Sequence, residues 1–151
     1  MKVKILEGME VEEILDMSQI AHIDKDNLSD EFLKQAGKYV WYATLLALAI
    51  KRRDEAKLSL EIVEAELDAL IRKNAVQKNE KITEAFIRGA VVRLDEYQNA
   101  VKFFIKVKED AEILMAVTKS FEQRKDMLIA FGSLIKHEMS AGINIMEKKL
   151  K

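Results

Sequence analysis

The sequence has no cysteine and no proline, and it holds only five glycines and two histidines among 151 residues. Without cysteine there is no disulfide framework, no thiolate zinc site and no cysteine nucleophile. Without proline, and with glycine only at positions 8, 37, 89, 132 and 142, the chain lacks the punctuation that a many-turned β fold needs. The two histidines sit badly for a di-iron bundle, which requires Glu-x-x-His pairs: Gln19 precedes His22 by three, and Leu134 precedes His137. His137-Glu138 resembles a general-base pair, but it lies near the end of the expected last helix, where a histidine is better explained as a partner for the helix dipole. No Gly-rich phosphate loop, Gly-x-Ser-x-Gly elbow or Asp-rich metal loop occurs. These absences predict a protein that is not an enzyme and that uses no metal and no cofactor. The start, Met1 to Leu6, lacks a signal-peptide core, so a cytoplasmic location is expected.

What is present is apolar and charged in bulk, 49% and 34% of residues, which suits one helical domain. The net charge of −1 hides a strong polarity. Residues 1 to 31 carry three basic and nine acidic groups, whereas residues 72 to 108 carry nine basic and four acidic ones. The first 27 residues read as an acidic arm: a β-prone lead from Lys2 to Leu6, an amphipathic stretch from Val11 to Ile23, and a turn at Asp24 to Asn27.

A seam then recurs at 3.5-residue spacing through Tyr39, Tyr42, Leu46, Ala49, Arg53, Ala56, Leu60, Val63, Leu67 and Leu70, apolar except at Arg53, predicting a helix over 29–74 that Gly37 could bend. Asn74 to Lys81 is the best loop, and a short helix is expected from Thr83. Asp95 and Gln98 have the spacing of a capping box opening the last helix. Its seam reads Phe103, Val107, Asp110, Leu114, Val117, Phe121, Arg124, Leu128, Phe131 and Ile135, with Gly142 as the expected end. The fold expectation is therefore all-α. A long antiparallel hairpin with a short connecting helix spans 28–140, after the arm at 1–27 and before a tail at 141–151.

Two long seams exceed what one hairpin can bury. The run Val40 to Ile50 is apolar around the whole helix and is too short to span a bilayer. It predicts a homo-oligomer, with Tyr39, Trp41, Tyr42, Leu45, Leu46 and Leu48 at the interface, and no membrane partner. The basic stretch predicts a polyanion site from Arg72, Lys73, Lys78, Lys81, Arg88, Arg93 and Lys102, with Phe86, Tyr97, Phe103 and Phe104 interleaved. Cations along a groove with aromatic faces between them suit single-stranded nucleic acid.

The chain resembles the phage recombination mediators of the UvsY type over about 38–139. The resemblance is carried by Lys38-Tyr39-Val40-Trp41-Tyr42, the charged helix Ile50 to Lys73, Lys81-Ile82-Thr83-Glu84-Ala85, Leu94-Asp95-Glu96-Tyr97 and Arg124-Lys125-Asp126-Met127-Leu128, in that order. It implies a helical homo-oligomer, ring-shaped, that binds single-stranded DNA and helps a RecA-like recombinase displace a single-stranded-DNA-binding protein in the host cytoplasm. It also places DNA-contacting cations near the end of the first long helix, where Arg72 and Lys73 lie. The acidic arm departs from the shorter family pattern. The competing expectation is an oligomeric phage structural or assembly protein with no nucleic-acid role.

Overall fold

The computed structural model describes residues 2–8, 13–20 and 22–149, which are mostly helical. In chain order they form strands β1 (Lys2–Ile5) and β2 (Glu13–Asp16), helix α1 (Met17–Ile20), a 3-10 turn (Lys25–Asn27), and helices α2 (Leu28–Gln77), α3 (Glu84–Arg93) and α4 (Asp95–Lys149). The helical expectation holds for most of the described residues, with one small sheet beside it: β1 pairs antiparallel with β2, Lys2 facing Asp16 and Ile5 facing Glu13. The amphipathic reading of Val11 to Ile23 gives way to a strand and one helical turn. Residues 11, 12 and 21 lie outside the described residues. Gly8, at φ +80°, takes a left-handed backbone in the segment that follows β1.

The chain divides into two compact units, Met1–Leu45 with Leu114–Lys151, and Leu46–Ile113. In the first unit α2 and α4 run antiparallel. Phe32 lies against Gly132, where an added Cβ would stand 3.5 Å from the ring, and Gln35 Nε2 donates to the Phe121 carbonyl at 2.6 Å. Tyr42 stacks on Phe121, with ring centroids 5.0 Å apart and planes inclined by 17°. Ile5, Leu6 and Leu15 from the N-terminal segment are buried, as are Leu114, Val117, Phe121 and Leu128. Arg124 is also buried, 1% exposed, and satisfies its guanidinium on Gln35, Glu31 and the His22 carbonyl.

In the second unit Leu67, Ile87 and Val91 form a core against which Val63, Ile71, Ile82 and Tyr97 pack. This cluster is what holds the short α3. Ile87 is 1% exposed, and Ile87→Ala removes three heavy atoms from a packed site. That variant is expected to lose about 2–5 kcal/mol, read from urea unfolding followed by circular dichroism.

Helix ends differ from the sequence expectation for identifiable reasons. α2 does not stop at Asn74. It stops at a Schellman motif whose left-handed residue is Asn79 (φ 57°), with Glu80 N–H donating to the Ala75 carbonyl at 3.0 Å and Asn79 N–H to Val76 at 3.1 Å. Thr83 is the N-cap of α3, its hydroxyl accepting from Phe86 N–H at 3.2 Å. The expected capping box at Asp95 does not form, because Asp95 is already helical. Gln98 Nε2 donates to the Val92 carbonyl instead, at 3.1 Å, satisfying the end of α3. Gly37 leaves α2 continuous, and α4 continues past Gly142 to Lys149.

Candidate nucleic-acid interface

All seven cations of the expected polyanion site fall in the unit Leu46–Ile113, but they are not equivalent. Arg72 is committed to carboxylates on two helices. Its Nε donates to Asp68 at 2.6 Å, one turn back on α2. Its Nη1 and Nη2 reach the two oxygens of Glu84, in the first turn of α3, at 2.8 and 2.6 Å. A further Nη2 contact to Asp68 lies at 3.3 Å. The planar fork of arginine suits this bridging, which a lysine could not reproduce. The hydrogen bonds that Arg72 donates to Glu84 and Asp68 raise its pKa, and Arg72 in turn holds the Glu84 carboxyl below the usual carboxylate range.

Arg72, expected to contact phosphate, thus stands bridged between two carboxylates. Its donors already serve Asp68 and Glu84, and it acts as a clamp between α2 and α3. Arg88 lies in an open cleft of about 250 Å³ that also presents Glu64, Asp68 and Glu84, with Val91, Val92 and Tyr97 as the apolar wall. Even with Arg72 bonded to Asp68 and Glu84, three carboxylates against the two guanidiniums of Arg72 and Arg88 make that cleft a poor seat for a polyanion.

Lys73, Lys78, Lys81, Arg93 and Lys102 are exposed and have no ion-pair partner within 4.0 Å among the described residues. They form two groups. Lys73, Lys78 and Lys81 lie at the end of α2 and in the connection to α3, whereas Arg93 and Lys102 lie at the end of α3 and in the early turns of α4. The ten residues of α3 put roughly 15 Å between the two ends of that helix. Replacing Arg72 by Gln is expected to leave the salt slope of DNA binding unchanged. Lys73→Gln, by contrast, should reduce its magnitude by about 0.7 when affinity is titrated against salt.

The interleaved aromatics divide as well. Tyr97 packs on the α3 core and Phe104 is half-buried, while Phe86 and Phe103 are exposed. Phe103 had been expected on the α4 seam, yet it remains 49% exposed.

Of the expected oligomer contacts, Tyr39 and Trp41 are exposed, and Leu46 and Leu48 are half-buried. Leu45 is 1% exposed within its own chain and Tyr42 is stacked on Phe121, so neither presents a free apolar face. The Tyr39 hydroxyl lies 3.5 Å from Glu122 Oε1. Among the described residues, no group of three or more His, Asp or Glu side chains could hold a metal ion. No helix there is long and apolar enough to cross a membrane. Comparison with protein-family models, with curated proteins and with solved structures finds no match for this chain.

Proposed function

We propose that this protein is a non-catalytic recombination mediator that binds single-stranded DNA and promotes loading of a RecA-like recombinase in place of a single-stranded-DNA-binding protein. The observation that carries this reading is the set of five exposed cations without acidic partners among the described residues, Lys73, Lys78, Lys81, Arg93 and Lys102. Exposed cations that no carboxylate neutralises favour a phosphate backbone over an uncharged ligand. The resemblance of 38–139 to UvsY-type mediators adds the recombinase and the host cytoplasm as the setting.

Self-association belongs to the same reading. Val40, Trp41, Leu58, Ile62 and Val76 on α2 are exposed large apolar side chains that a second copy of the chain would cover. Their exposure also favours a second reading, an oligomeric phage assembly protein whose charges only face solvent. A strand-exchange assay separates the two. With single-stranded DNA already coated by its binding protein, adding this protein should accelerate recombinase loading. An intact oligomer that leaves the loading rate unchanged would favour the assembly reading.

A further inference from the structure

Phe103 stands where its surroundings make it more than an exposed apolar residue. The Arg52 guanidinium carbon, brought from α2, lies 5.6 Å from the centroid of its ring, within the range of a cation–π contact. On α4 the ring is flanked by Lys102 at the preceding position and Lys106 three residues on, and no acid occurs between Glu96 and Glu109. Lys106 pairs with Asp110 at 3.5 Å, whereas Lys102 has no ion-pair partner among the described residues. A large apolar ring at a seam position would ordinarily be buried. Here it stays half-exposed with a planar cation over it and a further cation beside it.

We propose that Phe103, together with Arg52 and Lys102, forms a base-stacking subsite for single-stranded nucleic acid. The ring and the guanidinium offer flat surfaces to an unstacked base, and Lys102 meets the adjoining phosphate. Every base has a π-face, so the subsite reads strandedness and not sequence. It rests on the reading that this unit binds single-stranded DNA, and it adds a base contact to what the exposed cations would do through phosphates alone. A paired base inside a duplex keeps both faces covered and cannot reach the ring.

The test uses the full chain and three probes of equal length: oligo-dT, the same backbone without bases, and a duplex. The unaltered protein should bind oligo-dT roughly tenfold more tightly than the abasic strand. Phe103→Leu, which keeps apolar bulk and removes the π-face, should lower oligo-dT affinity to the abasic level. It should leave abasic binding and the salt slope unchanged. Phe103→Tyr, which restores a ring, should bind oligo-dT as the unaltered protein does, and this rescue separates loss of stacking from loss of fold. If Phe103→Leu retains full oligo-dT affinity while abasic strands still bind weakly, bases stack elsewhere and the subsite is wrong although DNA binding stands. Equal affinity for oligo-dT, abasic strand and duplex would overturn the subsite, leaving a phosphate-only site. If none of the three probes binds, the subsite and the reading it rests on fall together.

Discussion

Arg124→Met is expected to destabilise the protein by about 3–5 kcal/mol, the usual cost of removing one partner from a buried ion pair. Arg124 is 1% exposed, and its partners come from three places in the chain. Nη1 donates to Gln35 Oε1 and Nη2 to Glu31 Oε2, both on α2, while Nε and Nη2 donate to the His22 carbonyl at 3.2 and 3.1 Å. Methionine fills much of the volume but leaves a largely buried carboxylate, an amide oxygen and a carbonyl without these donors.

The pH dependence of that loss follows from Glu31. Burial pushes its carboxyl up, but the hydrogen bond and charge of Arg124 outweigh burial, with help from the Asp24 N–H and from Lys38 at 3.9 Å. Its pKa is thus lowered in the folded protein. A carboxyl with a depressed folded pKa adds stability above its unfolded pKa and loses it as pH falls through the folded value. In Arg124→Met the lowering contributions from Arg124 vanish and burial remains. The deficit should therefore be largest near neutral pH and shrink in acid, below the ordinary carboxylate pKa of about 4.3. Urea unfolding at both pH values checks this. A loss under about 1 kcal/mol at neutral pH, or a deficit that grows in acid, would contradict the role given to Arg124.

How the sequence and structure correspond is clearest along α4. Val107, Asp110, Leu114, Val117, Phe121, Arg124 and Leu128 were legible as one seam from their spacing, and all are buried, including the two charged members. Spacing could not supply their partners. Glu31 and Gln35 lie 93 and 89 residues away from Arg124, a distance over which helical periodicity carries no information.

On α2 the 3.5-residue reading fails at its margins, with Tyr39 and Leu70 exposed. A 50-residue helix with apolar residues on several faces offers more than one stripe, and packing selects among them. The Asp68 partner of Arg72 was implicit in its four-residue spacing. The Glu84 partner was not, because it depends on where the Asn79 turn sends the chain. Four-residue strands such as β2 are too short for periodicity to distinguish from a helical turn. The exposure of Phe103, finally, depends on the tertiary packing of α4 and not on its place in the apolar repeat.

The second large effect is expected from charge. Replacing Lys73, Lys78, Lys81, Arg93 and Lys102 together by Gln should abolish measurable single-stranded DNA binding while leaving helicity intact, since all five are exposed and none is paired among the described residues. Each phosphate contact on a single strand contributes about −0.7 to the slope of log affinity against log salt. Five contacts give a slope of roughly −3.5, so raising salt from about 50 to 200 mM should weaken binding roughly a hundredfold. Changing lysine or arginine to Gln removes the charge while keeping a polar, helix-compatible side chain at each exposed position. Retained binding in this variant would move the site to other cations, with Lys51, Arg52 and Arg53 on α2 next in line.

The most direct measurement is fluorescence anisotropy of a labelled oligo-dT titrated with the unaltered protein across that salt range. Binding at micromolar protein or tighter, falling with a slope near −3.5 and lost in the five-Gln variant, is the predicted result. An oligonucleotide that stays free at every salt concentration, while the protein remains folded, would contradict the central claim.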